Sequence, residues 1–147
     1  MKKTLLSITI ALTLSGCAAV GSGARYDDAM FTLRTNSIAS VNQMAASVVA
    51  FLSTGTEEQV IEKAKTTVSN GLRDPGSAQF RNVRVVPYQI GKVVCGEVNG
   101  KNAYGGYVGF TAFVSGVNQS SMYNKEPEYP AIERASNTGL LTACGAN

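Results

Sequence analysis

The chain has 147 residues, a formal net charge of +3 and 44% hydrophobic residues. This length accommodates one ordinary domain with a terminal extension. The absence of histidine excludes an imidazole general base and a histidine-based catalytic triad. Basic residues form no run of five or more, so the sequence does not favour nucleic acid as a partner.

The first sixteen residues have the layout of a secretory signal peptide. Lys2 and Lys3 precede an apolar segment over residues 5–14, and small residues follow it. About ten apolar residues are too few to span roughly 30 Å of hydrocarbon as a permanent helix. We therefore expect residues 1–16 to be removed. Loss of both lysines leaves 11 of the 13 basic residues against 10 acidic ones, a formal charge of +1.

The segment Leu14-Ser15-Gly16-Cys17 resembles the lipobox of bacterial lipoproteins. The resemblance implies cleavage after Gly16, diacylglycerol on the Cys17 thiol and an acyl chain such as palmitate on its amine. These chains hold the protein on the membrane, since each buried methylene contributes about 0.8 kcal/mol. Ala18 stands where an Asp marks inner-membrane retention in enterobacteria, so we expect the outer membrane, facing the periplasm. The alternative is a soluble secreted protein in which Cys17 lies beside an ordinary cleavage site.

Residues 17–36 are mostly small or polar, which predicts a lipidated N-terminus followed by a flexible tether. Residues 37–147 are then expected to form a single small domain. Within it, apolar residues at steps of three and four predict a helix over about 37–52. This helix packs either on the domain core or on a partner.

A second helix is expected over about 57–72. Thr56 can cap its first turn, and Gln59 completes a capping box. Asp74-Pro75 marks the end of the helical segment, because the residue before proline avoids helical backbone angles.

The second half of the chain changes to the alternation that is typical of strands. Asn99-Gly100 is a strong turn dipeptide between two such segments. Together with the helices, this pattern predicts an α+β fold in which the helices pack on a small antiparallel sheet. The expected strands cover about 83–86, 92–98 and 107–114, with 140–144 as an optional last strand.

Three cysteines are present, and assigning Cys17 to lipid leaves Cys95 and Cys144 as an even pair. Disulfides persist in an oxidising compartment such as the periplasm, so we expect a Cys95–Cys144 bridge. The alternatives are a metal pair or a redox pair, which the absence of histidine and of a CxxC motif disfavours. No metal and no cofactor are expected.

Two segments of the domain resemble a pattern in small uncharacterised envelope proteins of bacteria. One covers residues 74–80, DPGSAQF, and the other extends from Cys95-Gly96-Glu97 to Gly109-Phe110. The resemblance carries no known activity and assigns no catalytic residue. In physical terms, Asp74 can cap a short helical turn that begins at Pro75.

The second of these segments gathers polar and aromatic side chains around one hairpin. Its glycines allow positive φ angles or the close approach of another backbone. In one interpretation the hairpin only satisfies turn geometry, with Glu97 and Lys101 in a surface ion pair. In the other it is a loop that binds a ligand or partner. The candidate residues of that loop are Glu97, Asn99, Lys101, Asn102, Tyr104 and Tyr107.

These patterns favour a non-enzymatic binding or structural module in the cell envelope. Serines are frequent, but GxSxG and SxxK motifs do not occur. The expected partners are the membrane, through the lipid on Cys17, and an unidentified envelope protein or cell-wall component. Two alternatives stay open: an inhibitor or exclusion factor against lysozyme or phage, and a wall-acting hydrolase that uses Glu97.

Overall fold

The computed structural model describes residues 22–89 and 91–145. The signal peptide over 1–16 and the lipidation site Cys17 lie outside the described residues. In the described part of the chain, four α-helices flank a four-stranded antiparallel sheet, which confirms the predicted α+β class. The helices are α1 (Ser22–Leu52), α2 (Glu57–Asn70), α3 (Pro130–Ser136) and α4 (Thr138–Cys144), and one 3-10 turn covers Pro75–Ser77. The strands are β1 (Gln79–Tyr88), β2 (Gly91–Asn99), β3 (Thr111–Ser115) and β4 (Ser120–Met122).

Helix α1 begins at Ser22, well before the predicted start at residue 37. The prediction of a flexible tether is therefore wrong for residues 22–36. Tyr26, Met30 and Leu33 extend the apolar stripe of the helix backwards at helical spacing. Helix α3 packs on α1, and its first turn lies beside this part of the helix. The small and polar residues of this segment resemble a linker, and most of them have low helix propensity, so packing on α3 stabilises the helix here more than local preference does.

Side chains of β2 point alternately to the two faces of the sheet, and each face carries its own hydrophobic cluster. Helix α1 contributes to both clusters, so the helix over 37–52 packs on the domain core. One cluster joins α1, α4 and one face of β2 through Val41, Met44, Ala45, Leu140, Val93 and Cys95. The other joins α1, α2 and the opposite face through Val48, Val60, Ala64, Val68, Val94 and Phe113.

The predicted capping box of α2 is confirmed. The Thr56 hydroxyl accepts a hydrogen bond from the Gln59 amide at 3.3 Å, and Gln59 Oε1 accepts one from the Thr56 amide at 3.0 Å. The helix ends at Asn70 rather than at residue 72, with Gly71 as its C-cap.

The sheet has the strand order β1-β2-β3-β4, which leaves β1 and β4 at its edges. β1 is longer than the predicted 83–86 and contains a bulge, because one extra residue lies between Arg81 and Arg84 relative to β2. Asn82 occupies this bulge at φ +55°, a left-handed conformation that asparagine adopts more readily than most residues.

β3 begins at Thr111, so the prediction of a strand from residue 107 is wrong for its first four residues. Gly105 and Gly109 have φ angles of +79° and +98°, which take this part of the chain out of strand geometry. Of residues 107–110, Tyr107 alone forms a bridge, and it pairs with Lys101.

The optional strand over 140–144 is also wrong, because this segment forms α4. A short apolar run fits a strand or a buried helix equally well. Gly139 lies against the main chain of Ser37, so α4 approaches α1 more closely than a residue with a Cβ would allow. Cys144 of α4 is bonded to Cys95 of β2, with the two Cα atoms 5.6 Å apart, which confirms the predicted disulfide.

Candidate functional site

Residues 100–109, which we call the tyrosine hairpin, connect β2 to β3 and carry the most exposed aromatic side chain of the described residues. Tyr104 is 96% exposed, Val108 67% and Tyr107 46%. The Lys101 Nζ lies 5.5 Å from the centre of the Tyr107 ring. Exposed tyrosines of this kind supply large contact areas with few rotatable bonds.

Two asparagine side chains hold the backbone of the tyrosine hairpin. Asn102 Oδ1 accepts hydrogen bonds from the amides of Tyr104 at 2.9 Å and Gly106 at 3.1 Å. The buried Asn99 accepts one from the Gly109 amide at 3.0 Å. These bonds satisfy backbone donors within the loop, so both residues are structural supports for the tyrosines rather than free ligand-binding groups.

The base of the hairpin rests on the segment 74–80. The hydroxyl of the buried Ser77 accepts a hydrogen bond from the Lys101 amide at 3.0 Å and donates one to the Asp74 carbonyl at 2.8 Å. The Asp74 side chain itself makes no capping hydrogen bond. The segment over 74–80 and the base of the tyrosine hairpin are therefore in direct contact, and the first supports the second.

Glu97 lies apart from the hairpin tip and pairs with Arg81, so the predicted ion pair between Glu97 and Lys101 is wrong. The guanidinium of Arg81 donates to both carboxylate oxygens at 2.9 Å, and Asn82 Nδ2 donates to Oε2 at 2.9 Å. Arg81 stands directly opposite Glu97 in the register, and the bulge brings Asn82 to the same carboxylate.

The guanidinium of Arg81 also contacts Phe110, the residue that follows the tyrosine hairpin. Its central carbon lies 4.0 Å from the centre of the Phe110 ring. A cation over an aromatic face is attracted by the ring quadrupole. Phe110 is thereby fixed against β1, one residue before β3 begins.

The hydrogen bonds from Arg81 and then Asn82 lower the pKa of Glu97 from its ordinary value. A general acid at neutral pH needs the opposite, a raised pKa that keeps the carboxyl protonated. The geometry therefore disfavours Glu97 as the acid of a wall-acting hydrolase.

A second carboxylate, that of Glu133, is fixed by two hydrogen bonds. The hydroxyl of Tyr123 donates to Glu133 Oε1 at 2.6 Å, and the Glu126 amide donates to Oε2 at 2.9 Å. These bonds lower the pKa of Glu133, with Tyr123 as the largest cause. Its partner Tyr123 lines a depression of about 100 Å³ together with Glu97, Leu140, Leu141 and the disulfide.

Acidification is expected to destabilise the domain through these carboxylates. The folded pKa values of Glu97 and Glu133 lie below those of the unfolded chain, about 4.3 for a glutamate. Their contribution to stability is therefore complete above that pH and is lost as the pH falls through the folded values. Thermal melts should show a constant Tm near neutral pH and a falling Tm below about pH 4.3. The Glu97→Gln variant should show a smaller acid-induced decrease, and an unchanged decrease would contradict this assignment.

Sequence reasoning missed Arg81, Asn82 and Ser77 as members of the site. Arg81 and Glu97 are opposite only in the observed register, which the bulge sets, and no local signal specifies a bulge.

Along residues 22–89 and 91–145, no helix is both long and apolar enough to cross a bilayer. Over the same residues, no group of three His, Cys, Asp or Glu side chains could hold a metal ion.

Comparison with known protein families, with curated proteins and with solved structures finds no match for this chain.

Proposed function

We propose that this chain is a lipid-anchored protein of the bacterial cell envelope whose domain binds an envelope protein or cell-wall component through the tyrosine hairpin. The lipobox-like segment ending at Cys17 supports the anchor, and Ala18 at the next position supports a location on the outer membrane, facing the periplasm. The Cys95–Cys144 disulfide is consistent with an oxidising compartment.

The observation that carries the binding role is the exposure of Tyr104, Tyr107 and Val108 on a loop whose backbone is held from within. Tyrosine is enriched among the residues that dominate binding energy at protein interfaces. A loop fixed by Asn102 before binding loses less conformational entropy on association than a mobile one.

The role we propose is binding rather than catalysis. Glu97 is held as a carboxylate by Arg81 and Asn82, which opposes its use as a general acid. Among the described residues, no contact specifically favours inhibition of lysozyme or exclusion of phage over binding of another envelope component.

Photo-crosslinking in living cells tests the binding role. A photoreactive phenylalanine derivative in place of Tyr104 is expected to give a discrete adduct in the membrane fraction. The same group in place of Val49, which is 48% exposed on α1, serves as the matched control and should not give it.

The Asn102→Ala change, combined with the crosslinker at position 104, should weaken that adduct, because the loop loses the acceptor for two backbone amides. Identical adducts from positions 49 and 104, or an adduct insensitive to Asn102→Ala, would count against the hairpin as the binding surface. Cell-wall turnover by the purified domain would contradict a non-enzymatic role.

A further inference from the structure

Helix α1 starts very close to the proposed lipidation site. Five backbone steps separate Cys17 from Ser22, and in any conformation they span at most about 18 Å. A lipid on Cys17 would therefore keep the start of α1 within reach of the headgroups. The body of the same helix is fixed in the domain through Val41 and Val48, so its orientation and that of the domain are coupled.

We infer that the first turns of α1 lie in the headgroup layer of the membrane, with Phe31 in contact with lipid, an inference that rests on the proposed anchor. Phe31 is 71% exposed, and Tyr26, five residues earlier, is half-exposed. Side chains on a helix lean towards its N-terminus, so both rings are directed towards the anchored end. Aromatic side chains are favoured at the boundary between lipid and water.

The charges of this segment specify the kind of surface that it fits. Arg25 and Arg34 are balanced by Asp27 and Asp28, and all four side chains are exposed. The segment therefore has no net attraction for anionic lipid, and its contact with the bilayer depends on the aromatic rings. These residues therefore fit a zwitterionic membrane surface.

The chain contains no tryptophan, so one introduced tryptophan reports on its own position. The lipidated protein with Phe31→Trp is reconstituted into phosphatidylcholine vesicles with or without bromine on the acyl chains. The matched control is Val49→Trp, which lies on the same face of α1, five turns and about 27 Å further along. Both positions are exposed, so neither change disturbs the core.

We expect brominated lipid to quench the tryptophan at position 31 and to leave the one at position 49 largely unaffected. Quenching at neither position would overturn the inference, and equal quenching at both would replace it with a helix lying flat on the bilayer. A blue-shifted but unquenched tryptophan at position 31 would indicate cover by protein, such as a second copy, and would also overturn it. Intact mass of the vesicle-bound protein separates these outcomes from a failed anchor, because an unmodified Cys17 would refute the proposed function itself.

Discussion

Removal of the Cys95–Cys144 disulfide is expected to lower the free energy of unfolding by about 4 kcal/mol. The bridged residues are 49 positions apart, and a closed loop of this length strongly restricts the unfolded chain. The bond also joins α4 to a buried position of β2, so its loss frees the helix that covers one face of the sheet. A domain of this size has only about 5–15 kcal/mol of stability in total, so the loss is a large fraction.

Chemical denaturation of the wild type and of a Cys95→Ala/Cys144→Ala double variant measures this effect. Alanine at both positions avoids free thiols and leaves Cys17 available for lipid. Reduction of the wild-type bridge should give a change of similar size. A difference below about 1 kcal/mol would mean that packing of α4, rather than the covalent bond, holds this helix on the sheet.

Replacement of Cys17 by serine is expected to abolish lipid attachment and to leave residues 1–16 on the chain. A hydroxyl at this position cannot form the thioether, and the processing that follows lipidation would not occur. Acyl chains dominate membrane affinity, since each buried methylene contributes about 0.8 kcal/mol. The contact proposed for Phe31 adds at most about 1.5–3 kcal/mol, too little to hold the protein by itself.

Metabolic labelling of cells with palmitate, followed by mass spectrometry of the purified protein, measures this loss. The Cys95→Ala/Cys144→Ala variant is the matched control, because it also loses cysteines but keeps the proposed anchor. It should carry the label and lack residues 1–16, whereas Cys17→Ser should be unlabelled and keep them. Palmitate label on Cys17→Ser, or its cleavage after Gly16, would refute Cys17 as the lipidation site.

The parts of the fold that the sequence predicts are those with a local physical signal. The capping box at Thr56 and Gln59 marks the start of α2, and the apolar spacing after it predicts the buried face. The disulfide follows from the number of cysteines once Cys17 is assigned to lipid. The strands around Cys95 follow from their residue preferences.

Other elements depend on contacts between distant residues. The first turns of α1 look like a linker until α3 is known to pack beside them. The segment ending at Cys144 forms a helix that packs closely on α1, because Gly139 lies against the main chain of Ser37. Ser37 is distant in the sequence, so the residues around Gly139 alone could not indicate this contact. The short β4 and the polar segment around Glu133 depend in the same way on partners elsewhere in the chain.

The candidate site was predicted as one group of six residues, and the structure divides it by role. Tyr104 and Tyr107 are exposed, whereas Asn99 and Asn102 bind the loop's own backbone. Glu97 belongs with Arg81, because the bulge in β1 sets the pairing. Residue types indicated which side chains gather near the hairpin, but only the register shows which of them face outwards.

The edge strand β1 affects how copies of this protein behave at high concentration. A long unpaired strand is a template on which a neighbouring chain can polymerise. In β1 the bulge at Asn82 interrupts the flat edge, Arg81 and Arg84 add charge, and Pro87 lacks an amide donor. These features oppose edge-to-edge stacking of copies through β1, so they favour a dispersed domain at high concentration.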